Sequence, residues 1–325
     1  MSTTLTLDEL YRPIQTPLAD VRATMDRLWL DALELVGVDG AGATRAGGKL
    51  LRPALCLMAA GAIGATDLKR YVRLAASFES LHIASLAHDD VLDRALLRRG
   101  AASLSGLWDN HAAVLGGDYL VARAVEMLAE YDSCTVIAKA IRSVRRMAEG
   151  ELFFFNRDRD AITHEDCIML ARQKTASLFA EACSAPSYVV DEAYREPLFE
   201  FGDQLGIAFQ LVDDILDVTQ PTEKLGKPAC GDVLEGKRTI PIMYLRDALT
   251  GADRERLDAM ENAEITDADR AWIIEQAHET GAQERAEALT RDFADRARAA
   301  LTQLPESPYR DAMDGIIDFV LVRGA

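Results

Sequence analysis

The chain has 325 residues, 49% of them hydrophobic, and a formal net charge of −17. That is enough apolar material for a large core. The acidic balance argues against a general nucleic-acid binder, which needs a basic surface, so no nucleic-acid partner is expected. Ala, Leu, Glu, Arg and Asp dominate and β-branched runs are rare, a mix that favours helix.

Helical periodicity recurs almost throughout. Over 20–36, Val21, Met25, Leu28, Ala32 and Leu35 share one stripe. A Gly-rich link covers 37–48. Helices are expected over 50–61, 68–94, 110–131, 133–155, 164–190 and 192–218, with so few polar positions in the central ones that they belong deep in a bundle. Residues 219–236 break the pattern with Pro221, Gly226, Pro228, Gly231 and Gly236 and read as a loop. A loop of that length inside a compact domain is often functional. Shorter, charged helices are expected over 241–249, 253–262, 267–280, 283–304 and 309–322, as an outer layer. No strand pair and no domain linker stand out. The expected fold is therefore all-α: one antiparallel helical bundle over 1–325, with 1–46 as a helical extension, 47–241 as the motif-bearing core and 242–325 as outer helices.

The five cysteines, Cys56, Cys134, Cys167, Cys183 and Cys230, are widely spaced and include no CxxC pair, which reads as reduced thiols in a cytosolic protein. Residues 1–12 lack a basic region followed by an apolar run, so no signal peptide is expected. No apolar stretch is long enough to span a bilayer. A cytoplasmic location is the expectation.

One short motif occurs twice. Asp89-Asp90-Val91-Leu92-Asp93 and Asp213-Asp214-Ile215-Leu216-Asp217 are both DDxxD. On a helix Asp89 sits beside Asp93, and Asp213 beside Asp217. Each cluster follows an apolar run, and burying such carboxylates without a cation costs several kcal/mol per charge. Hard oxygen ligands suit Mg²⁺, commonly held by a few carboxylates together with substrate phosphates. One DDxxD alone reads as a solvated helix end; two copies, each after an apolar helix, read as a clamp for a diphosphate. The Gly-centred twelve-residue spacing of a calcium loop is missing.

Basic residues surround these clusters. Lys49 and Arg52 share one face near a helix start, an arrangement suited to anions. Arg98 and Arg99 follow the first cluster, Lys174 and Thr175 interrupt an apolar helix, and the long loop contributes Lys227 and, at its end, Lys237. Each taken singly reads as a surface charge; together they read as groups that stabilise a departing diphosphate. His82 lies two turns before Asp89 on the same face.

These motifs, in this order, resemble the trans-isoprenyl diphosphate synthases, also called polyprenyl synthetases. Gly47-Gly48-Lys49-Leu50-Leu51-Arg52-Pro53 resembles the family's GKRLRP. Glu79-Ser80-Leu81-His82, the first acid cluster, Arg98-Arg99-Gly100, Gly117-Asp118-Tyr119-Leu120, Glu149-Gly150-Glu151, Lys174-Thr175, Phe209-Gln210 before the second cluster, Leu225-Gly226-Lys227-Pro228 and Gly236-Lys237-Arg238-Thr239 follow. The resemblance implies an isoprenoid synthase bundle with a central cavity, and a head-to-tail prenyltransferase condensing isopentenyl diphosphate with an allylic diphosphate. It implies three Mg²⁺ ions, with Asp89, Asp93, Asp213 and Asp217 as the metal set and Asp90 and Asp214 supporting. Arg98, Lys174, Thr175, Gln210, Lys227 and Lys237 would grip the allylic diphosphate, and Lys49, Arg52, His82 and Arg99 isopentenyl diphosphate. A homodimer is implied as well.

The chain departs from the family pattern at three places. Leu50 stands where the family has Arg, which puts the arrangement of isopentenyl diphosphate in doubt. Ala101-Ala102-Ser103 replaces Lys-Pro-Thr. Phe153-Phe154-Phe155 replaces a Gln-containing run and reads as core packing or as a cavity wall. The positions four and five before Asp89, Ser85 and Ala84, are small; bulky aromatics there close the family's cavity early. A product longer than farnesyl diphosphate is expected, with Phe78, Leu81, Met127 and Leu128 as candidate floors. Two rivals remain: a class I terpene cyclase on the same fold, and a non-catalytic subunit of a heteromeric synthase.

Overall fold

The computed structural model describes residues 5–35, 48–92, 97–98, 101–102, 109–155, 157–220, 229–261 and 263–322. Its helices are α1 (Leu7–Leu10), α2 (Gln15–Leu35), α3 (Leu51–Ala62), α4 (Val72–Leu92), α5 (Asn110–Ala129), α6 (Cys134–Phe155), α7 (His164–Ala171), α8 (Ser177–Ser184), α9 (Arg195–Thr219), α10 (Gly231–Leu234), α11 (Ile240–Ala248), α12 (Gly251–Met260), α13 (Asp267–Glu279), α14 (Ala282–Leu301) and α15 (Pro308–Val322). Several begin where a side chain satisfies a free backbone N–H. Thr163 with Asp166, and Thr266 with Asp269, form reciprocal capping boxes at α7 and α13. The Asp109 carboxylate accepts from the Ala112 N–H to start α5.

Three differences from the sequence reading have local causes. The continuous helix expected over 164–190 is interrupted: a π-helical turn, Arg172–Ala176, separates α7 from α8, and a 3-10 turn begins at Ala185, where Pro186 lacks the N–H a helix needs. The loop expected over 219–236 contains the short helix α10. A two-residue antiparallel ladder pairs β1 (Leu97–Arg98) with β2 (Ala101–Ala102), too brief for a period-2 signal to register in the sequence.

The helices pack around one large core. Helix α4 lies against α2, α3 and α5; α9 lies against α8 and α14. Every residue of α3 and α8 is buried; a helix apolar on all sides belongs inside. The C-terminal helices, expected as an outer layer, also enter the core. Ala294, Ala297 and Leu301 of α14 and Met313, Ile316 and Ile317 of α15 belong to the same apolar cluster as Leu55 and Phe78. Their charged residues occupy the other face, which is what made the segments read as peripheral. Among the described residues no helix is long and apolar enough to cross a membrane.

One core helix carries a buried acid. Glu181 on α8 is 3% exposed. Burial pushes its carboxyl up from the usual 4.5, and the surrounding Lys139, Arg142, Arg146 and Arg195 only partly offset this. A carboxyl raised on folding costs stability as pH rises through the unfolded value toward the folded one, and costs nothing below both. Glu181→Gln is therefore expected to raise Tm at about pH 8, with the gain vanishing near about pH 4. Thermal unfolding followed by circular dichroism across that range checks it; a pH-independent change would show that burial of charge is not the cause.

Candidate active site

The two acid clusters sit at the C-terminal ends of α4 and α9. Asp89 and Asp213 are half-buried, and Asp90 and Asp214 are buried. The Asp214 carboxyl is driven well above its usual value, first by burial and then by the charges of Asp232, Asp213 and Asp217, against a hydrogen bond from Gln210. Four carboxylates thus lie close together here, and their mutual repulsion favours a cation among them. Asp217 is 1% exposed and holds the returning chain: its Oδ2 accepts the Asp232 N–H at 3.0 Å and its carbonyl accepts the Cys230 N–H at 2.8 Å. Asp213 is therefore the more open acid of the second cluster.

A hydrogen-bonded line runs inward from α9. The Thr175 hydroxyl donates to Gln210 Oε1 at 2.6 Å, and Gln210 Nε2 donates to Asp214 Oδ1 at 2.8 Å. The π turn that carries Lys174 and Thr175 makes this reach possible. An extra residue per turn leaves a carbonyl without its helical donor, and the Ser177 hydroxyl supplies one to Gln173 at 2.7 Å. The Lys174 ammonium pairs with Glu151 of α6. Burial pulls its pKa down, but Asp89 and Glu151 more than reverse this, and Lys237 opposes them as a like charge. Lys174 is thus a cation held by Glu151 within reach of the charge of Asp89.

The close crossing of α9 and α8 rests on glycine. A Cβ on Gly206 would lie 2.4 Å from the Ala176 Cα, and one on Gly202 2.6 Å from the Ala180 Cα. Both obstacles are backbone, so nothing there gives way.

The residues expected to bind isopentenyl diphosphate lie at the start of α3 and along α4. The Arg52 guanidinium stacks 4.4 Å above the Phe179 ring, whose neighbour at 5.4 Å is Phe209, next to Gln210. Lys49 Nζ lies 5.1 Å from the Phe319 ring centre. The Tyr11 hydroxyl donates to the Lys49 carbonyl at 2.8 Å, and Leu50 follows with φ 51°. Leu50 is 2% exposed and faces the core, so an apolar residue there suits its surroundings. His82 is half-buried, and its carbonyl accepts the Ser85 hydroxyl at 2.8 Å. Phe78, Leu81, Met127 and Leu128 are buried in the main core, and Ala84 is buried beside them on α4. Asp93, Arg99 and Lys227, and the side chain of Arg98, lie outside the described residues.

The Phe run is split. Phe154 packs on a core cluster, Phe153 carries the Arg157 guanidinium 4.6 Å above its ring, and Phe155 is 86% exposed. Neither uniform core packing nor a cavity wall describes it. Two acids escaped the sequence reading. Asp232 heads the charges acting on Asp214, and Glu151 anchors Lys174. Glu151 stands in a motif already noted; Asp232 lies in the long loop, and no periodicity marks a single loop acid.

Among the described residues no three acid, imidazole or thiol side chains converge to enclose an ion. Mg²⁺ is usually held by one or two carboxylates with phosphate and water completing the shell. Half-buried Asp89 and Asp213, the latter beside buried Asp214, suit an ion that arrives with a diphosphate.

Residues 41–278 match the polyprenyl synthetase family. The chain belongs to that family. It is 35% identical over 323 residues to an all-trans-nonaprenyl-diphosphate synthase (geranyl-diphosphate specific) from Rhodobacter capsulatus, covering 97% of this chain and 98% of the relative. A polyprenyl synthase from Caulobacter crescentus CB15, solved with calcium and isoprenyl diphosphate, superposes with TM-score 0.87 at 35% identity over the full length of both chains. A decaprenyl diphosphate synthase from Rhodobacter capsulatus superposes with TM-score 0.88 at 32% identity over 98% of this chain and 100% of its own. This polyprenyl synthetase is accordingly a prenyltransferase of the trans-isoprenyl diphosphate synthase class.

Proposed function

We propose that this polyprenyl synthetase joins isopentenyl diphosphate head to tail to an allylic diphosphate, giving a linear all-trans prenyl diphosphate longer than farnesyl. The observation that carries the reading is Lys174, a half-buried ammonium held by Glu151 and near enough to Asp89 to feel its charge, with the Thr175–Gln210–Asp214 line reaching the second acid cluster. Asp89, Asp93 and Asp213 are the ligands proposed for three Mg²⁺ ions, with Asp90, Asp214 and Asp217 behind them. Bound Mg²⁺ supplies Lewis-acid stabilisation of the diphosphate as it leaves.

The remaining work falls to side chains. Lys174, Thr175, Gln210 and Lys237, with Arg98 and Lys227, orient the allylic diphosphate and stabilise its developing charge. Lys49, Arg52, His82 and Arg99 place isopentenyl diphosphate so that its double bond meets the allylic carbon. The apolar walls of α4, α8 and α9 exclude water from an allylic cation that water would quench. The released diphosphate takes the proton. The enzyme is proposed to act in the cytoplasm as a homodimer.

The test uses purified protein, Mg²⁺, labelled isopentenyl diphosphate and, separately, dimethylallyl, geranyl, farnesyl or geranylgeranyl diphosphate. Mass spectrometry of the dephosphorylated products is expected to show a ladder of labelled linear chains ending beyond farnesol. An unlabelled cyclic product would establish a cyclase instead, and no product with any primer would leave a non-catalytic subunit. In the same assay Ser85→Phe is expected to shorten the longest chain. One isoprene unit spans about 5 Å, the length of one helix turn, so an aromatic ring one turn below Asp89 stops growth early. An unchanged ladder would place the chain's path elsewhere.

A further inference from the structure

Lys237 and Arg238 are neighbours with opposite destinations. The Lys237 ammonium pairs with Glu235 and lies near enough to Lys174 to act on it as a like charge. Arg238 turns away, into a charged cleft of about 460 Å³ shared with Arg159, Asp160, Arg246, Asp258 and Glu261. The backbone leading into α11 is extended, as at Thr239 with φ −86° and ψ 166°, and on extended backbone successive side chains leave on opposite sides.

Arg238 is held at every polar point. Its side chain is 4% exposed. Nε and Nη2 donate to Glu261 Oε1 and Oε2 at 3.1 and 3.2 Å, a two-pronged pair at the end of α12. Nη1 donates to the Arg159 carbonyl at 2.6 Å and to Asp160 Oδ1 at 3.1 Å, in the link between α6 and α7. Its carbonyl accepts the Cys167 thiol at 2.9 Å, on the helix that runs into the π turn of Lys174. On the other side the Lys237 N–H donates to the Asp232 carbonyl at 2.8 Å. A buried ion pair is a weak source of stability, since apolar replacements of similar volume are often neutral or better. What it provides is a fixed geometry, and the geometry it fixes here is that of the peptide carrying Lys237.

We infer that Arg238 is a positioning residue: clamped by Glu261, Asp160 and the Arg159 carbonyl, it holds the 237–239 backbone so that the Lys237 ammonium is presented beside Lys174 to the allylic diphosphate. This rests on the reading of Lys237 as a diphosphate ligand, and the test separates the two.

The experiment measures kcat and the KM for the allylic diphosphate, at saturating isopentenyl diphosphate, with full-length Lys237→Ala, Arg238→Met, Arg238→Lys, Glu261→Gln and the double variant Lys237→Ala/Arg238→Met, alongside thermal unfolding. Lys237→Ala and Arg238→Met are each expected to raise KM roughly 10-fold and to lower kcat as well, since Lys237 also meets the charge that develops on the leaving diphosphate. The double variant is expected to match Lys237→Ala alone, because the clamp has no ammonium left to aim. Arg238→Lys keeps the charge but not the fork and is expected to recover only part of the loss. If Arg238→Met does not fold, Glu261→Gln carries the test: its smaller rise in KM should disappear when Lys237 is Ala. An unchanged KM in Arg238→Met, or effects that multiply in the double variant, would reduce Arg238 to a stabilising residue. An unchanged KM in Lys237→Ala would overturn the ligand reading and the positioning role together.

Discussion

Asp213→Ala is expected to lower kcat about 10²–10³-fold, the usual loss when one preorganised electrostatic contact to developing charge is removed. It is also expected to raise the Tm of the metal-free protein. Both follow from one arrangement. Asp213 stands half-buried at the end of α9, and its charge is among those that drive the Asp214 carboxyl well up, after burial itself and the charge of Asp232. Deleting one carboxylate relieves its repulsion on Asp214. The same deletion removes a proposed Mg²⁺ ligand. Wild type should gain Tm when Mg²⁺ and inorganic diphosphate are added together, because ligands that bind only the folded state stabilise it. Asp213→Ala should lose most of that gain, and chelation should erase the difference in wild type. Calorimetry with and without the pair of additives, beside steady-state kinetics, measures all of this. A variant less stable without metal, or one that keeps the full Mg²⁺-dependent gain, would show that Asp213 is a structural acid.

Gly206→Ala carries the second large effect. The added methyl would sit 2.4 Å from the Ala176 Cα and 2.7 Å from its Cβ, and Gly202 faces α8 backbone in the same way one turn earlier. Helix α9 must move away from α8 and the π turn. Overpacking of this kind costs about 1–3 kcal/mol. The functional cost is larger, because the crossing carries the Thr175–Gln210 hydrogen bond of 2.6 Å and through it the contact to Asp214. A displacement of about 1 Å in a positioned group lowers rates roughly 10²-fold. The expected variant is folded, modestly less stable and about 100-fold slower. Wild-type kcat in a protein with wild-type Tm would mean that the two helices adjust without disturbing the site.

The acid clusters were legible in the sequence because their chemistry is local. Five consecutive residues give DDxxD, helical spacing puts the first and last acids on one face, and the apolar run before each predicts burial. Helix boundaries were legible to within a few residues for the same reason: the apolar stripe and the capping residue are both short-range. Leu50 shows the limit from the other direction. As a departure from a motif it raised a doubt about substrate binding, and only its position in the folded core shows that an apolar residue belongs there.

By itself, then, the sequence determined the all-helical class, the two carboxylate clusters, the cations around them and the family, all properties carried by nearby residues. The tertiary structure decided which distant residues complete them. It split the helix over 164–190 with a π turn that aims Lys174 and Thr175, brought Glu151 to Lys174 from α6, and folded the loop back so that Asp232 acts on Asp214. It drew α14 and α15 into the core, and clamped Arg238 between Glu261, Asp160 and the Arg159 carbonyl. The physical reason is common to all of these. Charge–charge and hydrogen-bond partners are chosen by distance in space, and packing contacts between helices far apart in the chain set those distances.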